Sequence, residues 1–187
     1  MTKVAQGLVA FALLFAAGIG LWQFWGGQQG NKLVDAANAA IDEGNTLTTE
    51  GAKYYGELFN TATLKDFPGN RAKLKPTVEK ASDLLSKSAL KFRESAAKFS
   101  EAGKQMVDSQ VADYWKFKGE QVVKLAESKE TRSKIALLLL DETITDINKL
   151  NEKITPLGEL AKKQDAETDE IGKKADKIKT DHAAKFK

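Results

Sequence analysis

Cysteine is absent from this chain of 187 residues. That removes disulfides, thiol nucleophiles, zinc fingers, c-type haem attachment and a lipid-modified cysteine anchor together. Histidine occurs once, as His182, and reads as a surface residue on the last helical turn. A carboxylate-bridged di-iron bundle needs two Glu-x-x-His pairs, and zinc sites and Ser-His-Asp relays need histidines that the sequence does not supply. An excess of either charge sign is also missing, the formal net charge being only +3. The cations are nearly all lysine, with arginine confined to Arg71, Arg93 and Arg132. Guanidinium forks are the usual tools of phosphate recognition, so no nucleic-acid surface is expected, and mixed Lys and Glu along a helix reads as a solvated face. There is no glycine-rich phosphate loop, since Gly26-Gly27 follows a hydrophobic run and not a strand. Asp141, Glu142 and Asp146 cluster without the loop of a calcium site and read as solvated helix carboxylates. No catalytic, cofactor-binding or metal-ligating residue is therefore assigned, and the sequence does not point to an enzyme.

What is present begins with an uncharged stretch between Lys3 and Lys32. Val4 to Trp25 has about the length needed to cross a hydrocarbon core of roughly 30 Å as a helix. Leu8, Phe11, Leu14, Phe15 and Leu21 supply its apolar surface, and Trp22 and Trp25 gather at the end where indole rings favour headgroups. Ala12, Ala16 and Gly20 fall on one face at four-residue spacing, a ladder that permits close packing in lipid. Residues 1–30 are thus read as a membrane anchor with a glycine-containing exit. The rival is a cleaved secretory signal, with Lys3 as its charged region and Ala16-Ala17-Gly18 as its cleavage site. Ile19, Leu21, Trp22 and Phe24 would leave an unusually apolar mature terminus, which favours retention. The short tail before the anchor and Asp35, Asp42 and Glu43 beyond it favour an extracytoplasmic domain.

Residues 31–187 read as an elongated helical bundle. In the stretch from Pro76 to Met106, Val78, Leu85, Phe92, Phe99 and Met106 recur every seven residues, with Ala81, Ser88, Ser95 and Ala102 between them. Such a seam faces a partner helix as in a coiled coil, and its small column lets two axes approach closely. The preceding helix repeats the design, with Val34, Ile41, Thr48 and Tyr55 in one column and Ala37, Gly44, Gly51 and Leu58 in the other. Glycine within a helix costs about 1 kcal/mol relative to alanine, so Gly44 and Gly51 call for a packing explanation. Adjacent Tyr54 and Tyr55 point about 100° apart, so one enters the core while the other stays at its edge. Asp66-Phe67-Pro68-Gly69-Asn70 is the turn of an antiparallel hairpin.

A further seam starts at Ala112 and runs through Trp115, Gly119, Val122, Ala126, Lys129, Ser133, Ala136 and Leu140 to Ile154. Lys129 predicts looser packing, and Ile135 to Leu140 the most buried run. Asp108 and Ser109 offer helix caps before this seam, and Thr155-Pro156 reads as the next helix start. Gln164 and Thr168 dilute the last seam. Four helices are expected, at about 31–64, 71–104, 108–154 and 156–186: an all-α, antiparallel, coiled-coil-like four-helix bundle behind a single membrane helix. The leading functional reading is a membrane-anchored structural, tethering or interaction protein whose partners are lipid and either another protein or copies of itself. A second is an extracytoplasmic sensory or small-ligand-binding bundle, similar in layout to the periplasmic four-helix domains of chemoreceptors. A third is a secreted helical protein left after signal cleavage.

Overall fold

The computed structural model describes residues 28–186, and among these every regular element is helical. Helix α1 spans Gln28–Leu58, a short α2 spans Thr61–Lys65, α3 spans Arg71–Gln105 and α4 spans Ser109–Leu137. A 3₁₀ turn, Leu138–Leu140, prolongs α4; α5 then spans Ile147–Asp181 and a second 3₁₀ turn, Ala183–Phe186, ends the described chain. No helix among the described residues is long and apolar enough to cross a membrane. The Val4–Trp25 segment, with its aromatic end and its Ala12, Ala16, Gly20 ladder, lies outside them.

The long helices run antiparallel. Gly30 lies against Met106, Gly44 against Phe92 and Gly51 against Leu85, so α3 descends as α1 ascends. Gly103 faces Ala112, Gly119 faces Ala96, and Ser82 meets Ser133, which reverses α4 against α3. Gly172 under Gln121 and Asp165 beside Ser128 do the same for α5 against α4. Close backbone contact follows chain order, α1 on α3, α3 on α4 and α4 on α5, whereas α1 meets α4 only sparsely. The arrangement is a bundle whose two inner helices are flanked and whose outer two are each held mainly by one neighbour. At 1.5 Å per residue its longest helices extend about 50 Å.

Side chains that close the helix ends set the turns. Asn60 caps α2 by accepting from the Thr63 amide at 2.7 Å. Asp108 accepts from the amides of Gln110 and Val111 at 2.9 and 3.3 Å, which fixes the start of α4. At the opposite end Arg71 donates to the carbonyls of Leu139 and Ile144, at 3.1 and 2.6 Å, and its guanidinium lies 5.2 Å from the centre of the Phe67 ring. One side chain thereby ties the α1–α3 turn to the α4–α5 connection.

The third boundary differs from the sequence expectation. The chain leaves α4 at Leu137 and re-enters a helix at Ile147, not at Thr155-Pro156; the expected 108–154 and 156–186 helices are replaced by α4 and α5. The carboxylates read as solvated helix residues are the cause. Asp141 accepts from the Thr143 amide and hydroxyl at 2.9 and 2.7 Å, and Asp146 accepts from the amides of Asn148 and Lys149 at 2.9 Å each. Two such caps make a stop and a start. Thr155 and Pro156 then sit inside α5, where the Thr155 hydroxyl donates to the Asn151 carbonyl at 2.8 Å. Within Ile135 to Leu140, Leu139 is fully buried, but Leu137 at the helix end stays 44% exposed.

Candidate functional site: a polar waist between two apolar cores

The buried apolar side chains fall into two clusters. The first joins Val34, Ile41, Phe92, Phe99, Trp115 and Val122 with Tyr114 and Phe186, at the end holding the α3–α4 turn. Phe99 stacks on Trp115 with ring centres 5.2 Å apart, and Tyr114 meets Trp115 and Phe186 edge-on. The second joins Tyr55, Leu58, Val78, Leu85, Ile135, Leu139, Ile144 and Leu150 at the other end. Of the two neighbouring tyrosines, Tyr55 is buried and Tyr54 only half-buried. Burial pushes the Tyr55 phenol up to about 12, against a smaller opposing pull from Arg132.

Between the clusters lies a belt of buried polar side chains contributed by α1, α3, α4 and α5. On the α1–α3 side Ser88 donates to the Gly44 carbonyl at 2.8 Å, and its oxygen is 2.7 Å from the Thr48 hydroxyl. Between α3 and α4, Ser133 is hydrogen-bonded to the hydroxyls of Ser82 and Ser86 at 2.8 and 3.0 Å. Between α4 and α5, Arg132 donates to Asp165 at 2.6 Å while Ser128 donates to the other carboxylate oxygen at 2.6 Å. Arg132 also donates to Ser128, and Thr131 donates to the Gln164 amide oxygen at 2.9 Å. Thr168, wholly buried, returns its proton to the Gln164 carbonyl at 2.8 Å.

Lys129 sits in this belt only 3% exposed. Heptad spacing places it in the column of Trp115, Val122 and Ala136, two heptads beyond the tryptophan that stacks on Phe99. Burial, reinforced by the neighbouring Arg132, pushes its ammonium down to about 8, and Asp165 opposes that only in part. The expectation of loose packing at Lys129 is therefore corrected: of residues 128–133 all but Glu130 are buried. The physical reason is the position of α4, which is covered by α3 on one side and α5 on another.

The small residues singled out in the sequence lie as follows. Gly44, Gly51, Ala81, Ser88, Ser95 and Ala102 are all buried in the α1–α3 seam or beside it. A Cβ on Gly44 would stand 2.8 Å from the Phe92 ring, and one on Gly51 would stand 3.2 Å from the Leu84 Cβ. The hydroxyl of Ser95 is buried without a hydrogen-bond partner. A second small column on α3 went unread, namely Ser82, Ala89, Ala96 and Gly103, which lies opposite the seam members Ala112, Gly119, Ala126 and Ser133 on α4. A Cβ on Gly119 would stand 3.2 Å from the Ala96 carbonyl oxygen, and one on Gly103 would stand 3.1 Å from that of Ala112. The heptad spacing of both columns was the available signal. Among the described residues no three potential ligands are grouped to hold a metal ion, Asp141, Glu142 and Asp146 included. No family model matches the chain, and no curated protein or solved structure shows detectable similarity to it.

Proposed function

We propose that this chain is a membrane-anchored, non-catalytic helical strut that acts as a structural or tethering subunit, holding a protein partner or further copies of itself at a fixed distance from a bilayer. The observation that carries the reading is the pairing of small-residue columns on both sides of α3, with Gly44 under Phe92 and Gly119 against the Ala96 carbonyl. Backbones seated this closely bend little relative to one another, because any shift drives side chain or carbonyl into backbone. Such stiffness suits a spacer. The other support is positional, since the uncharged Val4–Trp25 segment directly precedes the start of α1. In this reading the segment is retained as a single span and the bundle lies on the extracytoplasmic side.

The test is made on native membranes. The chain should resist extraction by alkaline carbonate, and short-range cross-linking should capture one specific partner or a defined homo-oligomer. Because the sequence has no cysteine, a single Glu142→Cys label reports which side the bundle occupies. Accessibility to an impermeant maleimide in intact cells is expected. Release by carbonate, or a strictly monomeric species without cross-links, overturns the reading.

A further inference from the structure

Two of the connections between long helices are made in different ways. The α1–α3 turn carries Pro68-Gly69, and the heptad columns of α1 and α3 do not share a phase across it. The α4–α5 connection has neither breaker, since no glycine or proline occurs between Gly119 and Pro156. The columns of α4 also cross it in step. Leu140, Ile147 and Ile154 continue the one through Ala112, and Leu150 and Leu157 continue the one through Trp115. Each arm of a hairpin can set its seam independently, so a hairpin has no use for a kept phase; a single continuous helix needs one.

Three side chains interrupt the helix. In an unbroken α-helix the Thr143 amide would donate to the Leu139 carbonyl, and the Asn148 amide to the Ile144 carbonyl. Here Arg71, reaching across from α3, takes both carbonyls, at 3.1 and 2.6 Å, while Asp141 and Asp146 take both amides, at 2.9 Å each. In the hairpin α5 is also incompletely seated. Ile147, Ile154, Leu157, Ile171 and Ile178 are only half-buried, and Leu150 is the large apolar residue of α5 that is fully enclosed. The α4 residues that meet α5 include Gln121, Ser128, Thr131 and Arg132, which water can solvate on separation. Against separation stand the burial of Ile144 and Leu150 and the packing of Phe186 on Tyr114. We infer that the α4–α5 connection is a latched hinge: Arg71, Asp141 and Asp146 hold the hairpin by occupying four backbone groups that would otherwise join α4 and α5 into one helix. That helix, from Ser109 to Asp181, would be about 110 Å long. Its α4 half keeps its seat on α3, and its α5 half leaves the bundle. The inference rests on the strut reading for what opening does, which is to add the length of α5, about 50 Å, to the strut's reach.

The experiment uses the full chain in detergent micelles with Glu120→Cys and Lys173→Cys, exposed positions beside the Gln121–Gly172 contact. The two cysteines carry a donor and an acceptor dye, and energy transfer is read on single molecules. The hairpin gives near-complete transfer. One continuous helix places the dyes about 80 Å apart, whereas a melted α5 gives a broad distribution near 40 Å. With the latch intact the high-transfer state should dominate. Asp141→Ala with Asp146→Ala should enlarge the 80 Å population severalfold. Arg71→Met leaves the sequence of α4, α5 and their connection untouched, so it tests the latch apart from helix propensity; it should enlarge the same population, by less. If both variants stay at high transfer, the inference is overturned. A shift to the broad 40 Å distribution also overturns it, because α5 then unfolds without joining α4. Opening to 80 Å in a chain that alkaline carbonate releases from membranes removes the strut reading and leaves the hinge standing. Retention in the membrane without opening does the reverse.

Discussion

The α1–α3 seam and the α4–α5 seam share heptad spacing and use opposite chemistry. In the first, glycine faces ring and methyl: Phe92 over Gly44, Leu84 and Leu85 over Gly51, with one hydroxyl pair between Thr48 and Ser88. In the second, Gln121 lies over Gly172, Thr131 meets Gln164, and Arg132 and Ser128 share Asp165. Dispersion and exclusion of water hold the first seam, and its strength depends on shape. Directional bonds hold the second, which fixes one register and one partner while adding less net free energy. Small residues are common to both because each lets a larger partner lie flat on a helix.

The largest effect is expected where shape alone does the holding. Phe92 is wholly buried, and the surface beneath it is a glycine without a side chain to swing into the gap. Phe92→Ala should therefore lie high in the usual range for such truncations, about 3–5 kcal/mol of destabilisation. Urea unfolding of the full chain in detergent micelles, followed by helical circular dichroism, measures it. A loss near 1 kcal/mol would mean that α1 collapses readily onto α3, and the seam would not be the stiff one described.

Next in size is the removal of the carboxylate that organises the second seam. Asp165→Ala leaves the Arg132 guanidinium and the Ser128 hydroxyl without their acceptor. The Arg132 side chain is 11% exposed and that of Asp165 26%, so water relieves part of the cost of an unpaired buried charge. About 2–3 kcal/mol is expected, below the figure for a fully enclosed pair. If the loss matches that of an ordinary surface pair, the polar seam carries no more than solvated contacts do.

Much of the first seam was legible and much of the second was not, for one physical reason. Apolar and small residues at heptad spacing announce burial, so Val34, Ile41, Phe92 and their glycine and serine companions could be placed in a seam from the sequence. Buried polar residues look the same as solvated ones until their partners are known. Lys129 and Ser133 read as members of a seam that packs loosely there, with no partner named for their neighbours, yet Arg132 and Ser128 find Asp165, and Thr131 finds Gln164, on a helix more than thirty positions away. Gln164 and Thr168, taken as dilution of the last seam, are among its buried members. The break between α4 and α5 misled differently. Proline at 156 was the louder signal, but two aspartate caps, at 141 and 146, decide where the chain turns.

Lys129 sharpens the contrast with a change of opposite sign. An ammonium on a side chain only 3% exposed, where burial outweighs the pull of Asp165, destabilises the folded chain. Lys129→Met keeps the stem and removes the charge, and should stabilise by about 1–2 kcal/mol at neutral pH. The pH dependence follows from the lowered value of about 8 against 10.5 for the free side chain. Between those limits the unfolded chain holds a proton that the folded chain has released, so this group's destabilising contribution is at its full size below that window and is relieved as pH rises through it. The difference between wild-type and Lys129→Met unfolding curves should therefore shrink from neutral pH toward pH 10. A constant difference would place the amine in contact with bulk water.

The smallest effect belongs to a pair that looks strongest on paper. Arg93 grips Glu130 through two bonds, Nε at 2.7 Å and Nη2 at 2.9 Å, bridging α3 and α4 on their outer side. Glu130 holds the guanidinium above its ordinary value, and Arg93 holds the carboxyl below its own. Yet the two side chains are 44% and 35% exposed, so water and salt screen most of the attraction. Glu130→Ala should cost below about 1 kcal/mol, and high salt should lower wild-type stability by a similar amount while leaving the variant unchanged. The same chemistry between Arg132 and Asp165 is expected to cost about two to three times as much to break, because α4 and α5 close over it. Comparable losses at the two pairs would erase the distinction between a surface clasp and a buried one, and with it the claim that the waist, more than the outer charge pairs, sets the register of α5.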